Sequence, residues 1–368
     1  MVVTDALNSG GAERVAVDIA NSLDRSRYRA SFCATRAGGP LEQRLSSDVE
    51  LDVLGRLVKW DARKLVTFGR ITRRRNISII HSHGRGTMKF VSLAKALGLV
   101  DAKHVFHDHF GWLHLDRGAG VGLREAMRRE VDQYLGVDHR LCRWAEQQVG
   151  FPSDRVHLVR SGVDIGRFVD VEPVDVRAMI GARADDTIVA MAANFRSQKD
   201  HPLLFRAMAL LDDDVLQRMQ VVIMGATHVE PDYFRGCMDM VERLGIGDRI
   251  HLLGERDDIP RLLAGCDFAV LCSKNETGPL VVLEYMASGL PFVATETGEI
   301  TSAVHDRGVG LVTAPRDDVE MADALTEMMR MDPTRRRAMG RTGQRLASST
   351  FSQESVTREI EAVYRTLL

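Results

Sequence analysis

Short apolar runs alternate with helical stretches twice over in this 368-residue chain, and that alternation restricts the fold more than any other feature. Parallel strands need crossovers long enough for a helix, so the pattern predicts an α/β protein whose parallel sheets are covered by helices. In the first half the strand candidates are residues 2–3, 30–34, 51–54, 77–80 and 104–106, with 156–159 closing the set. In the second they are 187–192, 220–224, 250–253, 268–272 and 291–294, with 310–312 as a last strand. Ser161-Gly162-Val163-Asp164 suits a turn between two doubly wound halves. The expected domains are therefore 1–162 and 163–350, with a C-terminal helix, 351–368, packing back on the first. Ligands of such sheets bind beyond the carboxyl ends of the strands, so a cleft between the two halves is the expected site.

Composition fits a soluble enzyme: 45% hydrophobic and 27% charged residues, with a formal net charge of -2, leave material for two cores. Cys33, Cys142, Cys237, Cys266 and Cys272 show no paired metal-ligand spacing, which suits a reducing cytosol. No apolar run approaches membrane-spanning length, and Met-Val-Val-Thr-Asp reads as a first strand rather than a signal peptide. A cytoplasmic location is expected, with no nucleic-acid partner.

The chemistry concentrates in residues 273–284, Ser-Lys-Asn-Glu-Thr-Gly-Pro-Leu-Val-Val-Leu-Glu. An apolar strand, 268–272, leaves its sheet into this polar turn, and a helix begins at Pro279, since proline at a first helical position forfeits no intrahelical bond. Gly289 closes the helix. First-turn amides with a positive dipole end make an anion site, here at Leu280 and Val281. Gly278 lets a ligand approach the backbone. Glu276 lies before the helix and Glu284 in its second turn, so the two can bracket a ligand without forming the opposed carboxylate pair of a glycosidase. Phosphate linked to polyhydroxylated groups is the ligand this pattern suits.

Other strand ends carry related groups. Asn8-Ser-Gly10-Gly11-Ala-Glu-Arg14 follows the first strand and opens a helix. Asn194-Phe-Arg196-Ser-Gln-Lys199 sets two cations beyond residues 187–192; Arg196 can grip phosphate with two donors and Lys199 supplies a mobile charge. The histidines of His81-Ser-His83 and His107-Asp-His109 follow strands, but no cysteine or carboxylate set completes a metal shell. Hydrogen bonds to sugar hydroxyls suit them better, with buried structural pairing as the competing role. Arg56, Lys59, Arg63, Lys64, Arg70, Arg73, Arg74 and Arg75 form a basic stretch suited to anionic lipid or an acidic acceptor, or to a solvated helix face. Trp112, Leu113 and Leu115 could cover an acceptor channel or enter the core.

In this order the residues resemble the retaining GT-B glycosyltransferases of family 4. The resemblance runs through Gly10-Gly11-Ala12-Glu13-Arg14, Ser161-Gly162-Val163-Asp164 with Phe168, Arg196 and Lys199, the loop at Gly254, and two glutamates with seven residues between them. It implies two Rossmann-like domains facing a central cleft, and transfer of a hexosyl or N-acetylhexosaminyl group to an acceptor hydroxyl with retention. The donor would be a nucleoside diphosphate sugar, UDP-sugar favoured, without cofactor or metal. Glu276 would contact donor hydroxyls and Glu284 the ribose. The turn from Thr277 through Gly278 and Pro279 to Leu280 would meet the diphosphate, which Arg196 and Lys199 neutralise. Leu253, Gly254 and Arg256 would lie near the base, with Gly10 and Gly11 on the donor side. His109, or His107 in a shifted alignment, would sit beside the transferred sugar, and His83, His107 and Trp112 toward the acceptor. The family's arginine five residues before the lysine is Asn194 here, so Arg196 would act from a shifted position. The acceptor would belong to glycan, glycolipid or natural-product biosynthesis. The basic stretch itself, apart from the resemblance, allows peripheral contact at the inner membrane face through Arg56–Arg75. A nucleotide-sugar epimerase of the same architecture and a noncatalytic nucleotide-sugar-binding protein are the alternative readings. A dehydrogenase is disfavoured, because no Gly-x-Gly-x-x-Gly follows the first strand.

Overall fold

The structure is a computed structural model describing residues 1–8, 10–109 and 121–368. The chain forms two compact units, Met1–Gly162 with Gln353–Leu368, and Val163–Ser352.

Among the described residues the first unit has seven strands: β1 (Val2–Ala6), β2 (Ser31–Ala37), β3 (Glu50–Val53), β4 (Ile79–His83), β5 (Lys103–Asp108), β6 (Gln133–Gly136) and β7 (Val156–Leu158). They pair in parallel in the order β3-β2-β1-β4-β5-β6-β7. Strands covered on both faces read as apolar runs, which is why β1, β4 and β5 stand out in the sequence. β6 does not stand out, because Gln133 and the flanking aspartates interrupt its apolar pattern. The polarity is satisfied internally: Gln133 Oε1 lies 2.8 Å from His157 Nε2, and the Asp132 carboxylate accepts the His104 amide at 2.7 Å and Lys95 Nζ at 2.9 Å. The helix Gln353–Arg365 belongs to this unit and packs on the helix Gly11–Ser22. Its Glu361 carboxylate accepts the Asp24 amide at 2.8 Å, and Tyr364 meets Tyr28 edge to face.

The second unit has six described strands: β8 (Thr187–Ala192), β9 (Met219–Met224), β10 (Ile250–Gly254), β11 (Phe268–Leu271), β12 (Phe292–Thr295) and β13 (Gly310–Thr313). All pair in parallel in the order β10-β9-β8-β11-β12-β13. One face is buried by Phe205, Met208, Met321 and Leu325, the other by Leu283, Tyr285, Met286 and Ile300. Burial of each such side chain contributes about 1.5–3 kcal/mol against exposure. Tyr285 does more than fill space. Its hydroxyl accepts the Ala192 amide at 2.9 Å and donates to the Val270 carbonyl at 3.2 Å, clamping β8 to β11 from beneath.

In each unit the chain order along the sheet reverses at one place, between β1 and β4 in the first and between β8 and β11 in the second. Loops leaving neighbouring strands at such a reversal diverge and leave a crevice, the usual ligand position in open α/β sheets. Among the described residues no helix is long and apolar enough to cross a membrane.

Candidate functional site

In the second unit the reversal point joins the loops following β8 and β11. The Lys274 amide donates to the Gln198 carbonyl at 2.8 Å, and Gln198 Nε2 to the Asn275 carbonyl at 2.6 Å. This stitching carries Lys199 to Glu276, Nζ to Oε1 at 2.6 Å, with both side chains largely shielded from solvent. Ser273 Oγ donates to the same carboxylate oxygen at 2.8 Å, and Gln198 Nε2 lies 3.5 Å from the other. A carboxylate held by an ammonium and a hydroxyl is fixed and poorly nucleophilic. It is suited to orienting hydroxyl groups rather than attacking carbon.

The helix after this loop spans Leu280–Ala287, so Pro279 is its cap rather than its first residue; with φ -67° and ψ 94° it remains extended. Leu280 and Val281 supply the first-turn amides that a helix cannot satisfy internally. Gly289 ends the helix at φ +68°, where a side chain would be strained. Glu284 is half-buried on this helix. A neighbouring turn supports the glutamate loop from behind. The Glu299 amide donates to the Thr277 carbonyl at 2.8 Å, and a Cβ on Gly298 would lie 2.7 Å from the same oxygen.

Arg196 is exposed and forms no ion pair with a described residue. Asn194, at the position of the expected arginine, accepts the Ala226 amide through Oδ1 at 2.8 Å and so ties the loop after β8 to that after β9. Gly225 allows this contact, since a Cβ there would stand 2.2 Å from the Ala193 carbonyl. Gly254 ends β10, and Arg256 just beyond is held by Asp258 through two bonds of 2.8 and 2.7 Å. Leu253 packs partly on the core, whereas Leu252 is exposed. The structure thus unites Lys199, Glu276 and the Leu280 helix start, while Arg256 is committed to its own ion pair. Gln198 and Ser273 lie inside motifs singled out in the sequence but had no role there, and Tyr285 and Gly298 were missed.

In the first unit Gly10 precedes the helix Gly11–Ser22 without a side-chain cap, and its carbonyl accepts the Arg14 amide at 3.0 Å. Burial raises the Glu13 carboxyl above its ordinary range. The histidines at the ends of β4 and β5 share one sheet face: His83 pairs in register with His107. His81 Nδ1 meets the Tyr364 hydroxyl at 2.6 Å, and His83 Nδ1 shares a hydrogen bond with His109 Nε2 at 3.0 Å. Desolvation pushes His81, His83 and His107 well below the ordinary imidazole range, and lowers His109 as well. The cluster is therefore neutral at physiological pH. Ring nitrogens of His81, His83 and His107 lie within 4.8 Å of one another. The rings of His81 and His107 stack at 5.3 Å with planes 8° apart. These packed imidazoles hold three ring nitrogens close enough to share an ion, a proximity the sequence spacing did not reveal. Beside them Asp108, fully buried, lies 3.7 Å from Arg85 in an ion pair the sequence did not reveal. Trp112, Leu113 and Leu115 lie outside the described residues, as does Ser9.

Comparison with known proteins agrees with this architecture. Residues 9–167 match the family described as Glycosyltransferase Family 4, and residues 175–345 match Glycosyl transferases group 1. The chain belongs to the GT-B glycosyltransferases of family 4. It is 31% identical over 218 residues to D-inositol 3-phosphate glycosyltransferase of Saccharomonospora viridis, a match covering 58% of this chain and 50% of that one. It is 25% identical over 254 residues to N-acetyl-alpha-D-glucosaminyl L-malate synthase of Bacillus anthracis, covering 68% and 65%. The chain thus spans from about half to just under two thirds of the length of these relatives. In fold it resembles HepE of Anabaena, solved in complex with UDP and glucose, with a TM-score of 0.82, 20% identity, and 99% and 98% of the two chains covered.

Proposed function

We propose that the protein is a cytoplasmic retaining glycosyltransferase that moves a hexosyl or N-acetylhexosaminyl group from a nucleoside diphosphate sugar, UDP-sugar favoured, to an acceptor hydroxyl. The observation that carries this reading is the meeting of Lys199 with Glu276 at the sheet's reversal point, one turn before the helix start at Leu280. The relatives named above, a glycosyltransferase and a glucosaminyl-malate synthase, and a neighbour solved with UDP favour the same donor class.

The diphosphate rests against the amides of Leu280 and Val281 and takes the Lys199 charge, with exposed Arg196 closing from solvent. Glu284 receives the ribose hydroxyls. Glu276, kept in place by Ser273 and Gln198, accepts from hydroxyls of the sugar. As the bond from the anomeric carbon to the diphosphate oxygen breaks, negative charge collects where these donors point, which is where electrostatic stabilisation lowers a barrier. The acceptor oxygen bonds to the same face of that carbon, and its proton passes to the departing diphosphate. Taken by itself, the first unit offers neutral His109, with His83 and His107, as the groups suited to hydrogen-bonding sugar and acceptor hydroxyls.

The test is incubation with a panel of nucleoside diphosphate sugars and hydroxyl acceptors, read by mass spectrometry. Release of nucleoside diphosphate together with a glycosylated acceptor supports transfer. A rearranged sugar nucleotide formed without acceptor would indicate an epimerase, and binding with neither transfer nor donor hydrolysis a noncatalytic protein.

A further inference from the structure

The basic stretch expected at Arg56–Arg75 divides in the structure, and the division points to what it touches. Arg56 and Arg75 do not belong to the surface patch. Arg56 is buried, donating to Asp5 Oδ1 at 2.6 Å, to Thr35 Oγ1 at 3.2 Å and to the Lys59 carbonyl at 3.0 Å, with its guanidinium 5.0 Å from the Phe90 ring centre. Arg75 is shielded and paired with Glu50 and Asp52. The bond from Arg56 to the Lys59 carbonyl gathers the loop after β3 into a fixed bend, while Leu54 is anchored in the core. The side chains between are turned outward: Leu57 is 87% exposed, Val58 59% and Trp60 53%.

The helix that follows, Ala62–Arg74, buries Leu65, Phe68, Gly69 and Thr72 and shows the opposite face to solvent. That face carries Arg63, Val66, Thr67, Arg70, Arg73 and Arg74 at helical spacing. Lys59, Arg63, Lys64, Arg70 and Arg73 form no ion pair with a described residue, and the Lys59 ammonium lies 5.1 Å from the Trp60 ring centre. Asp61, the one carboxylate from residue 54 to 75, is occupied as the helix cap, accepting the Lys64 amide at 3.2 Å. An apolar tip with tryptophan, set in a field of cations and held out by a buried arginine, has the makeup of an interfacial anchor. Tryptophan favours the headgroup level, aliphatic tips enter the acyl boundary, and the cations are drawn to negative headgroups.

We propose that Leu57, Val58 and Trp60, with the cationic face of the helix Ala62–Arg74, form a docking surface for an anionic lipid bilayer. Nothing in this proposal rests on the sugar-transfer reading, because the second unit takes no part in it. The experiment is sedimentation of the full chain with phosphatidylcholine vesicles, with and without phosphatidylglycerol, across a salt series. Tryptophan emission is followed in parallel, and Trp60→Phe isolates the contribution of Trp60. Binding should require the anionic lipid and fall with salt, and Trp60 emission should shift to shorter wavelength. Each cation near an anionic surface strengthens binding by about fivefold. Arg63→Glu with Arg70→Glu should therefore weaken binding well over tenfold, and Leu57→Ser with Val58→Ser should abolish the emission shift. These positions are exposed, and thermal midpoints matching the parent will show that the variants fold. Equal sedimentation with neutral and anionic vesicles, or no loss in either double variant, would overturn the proposal. So would capture by a soluble polyanion such as heparin with no capture by vesicles.

Discussion

The two units solve the same folding problem and then furnish their strand ends with opposite chemistry. Both are parallel sheets with one reversal of chain order. At the reversal in the second unit stands a charged pair, Lys199 with Glu276, beside a helix start. The strand ends near the reversal in the first unit carry stacked imidazoles that burial keeps neutral. The fold repeats the same reversal in both units, and the side chains set them apart: a cation beside helix amides is suited to an anion, and uncharged hydrogen-bonding rings are suited to hydroxyl groups.

If that contrast is right, the largest effect comes from the second unit. Lys199→Ala should lower turnover roughly 10²–10³-fold, the scale for losing one preorganised group facing developing charge, and should weaken nucleoside diphosphate binding too. Glu276→Ala should lower turnover comparably while leaving plain nucleotide affinity close to that of the parent, because the lysine it releases stays available to phosphate. Steady-state kinetics beside calorimetric titration of the nucleotide separate the two. A Glu276→Ala variant that lost nucleotide affinity but kept turnover per bound donor would reverse the assignment.

Glu284→Ala should have a smaller effect, raising the nucleotide dissociation constant about tenfold or somewhat more, as expected when a hydrogen bond to a charged group is lost. An unchanged constant would remove Glu284 from the ribose.

The smallest effect distinguishes the units by pH. His81, His83, His104, His107 and His109 all have folded-state values below 6.5, with burial as the leading cause and His104 pushed down to about 3. Above pH 6.5 these groups are neutral in both folded and unfolded chains, and their contribution is intact. As pH falls below 6.5 the unfolded chain takes up protons that the folded one refuses, so stability is lost progressively toward the folded values. The second unit has lowered values at His201, about 4, and His251. Between pH 6.5 and 5, where most carboxylates stay ionised, hydrogen exchange should accelerate in β4 and β5 before β8 and β11. Earlier opening of β8 would contradict the histidine account.

Much of this was legible in the sequence because it is local. Strands such as β8 and β11 are uninterrupted apolar runs bounded by polar turns, and Glu276, Pro279 and Glu284 fall within nine residues of one another. The rest depends on contacts between distant segments. Gln198 reaches Asn275 across 77 positions, and the clamp by Tyr285 resembles any aromatic residue in an apolar helix until β8 is seen beside it. Arg56 read as a surface cation because its partner Asp5 lies 51 residues earlier. β6 escaped notice because its polar residues find partners only in the folded sheet.

The most direct test is a crystal structure of the full chain with UDP bound. The account predicts the diphosphate against the Leu280 and Val281 amides within reach of Lys199, with the ribose hydroxyls on Glu284. Nucleotide bound elsewhere, touching none of these groups, would contradict it.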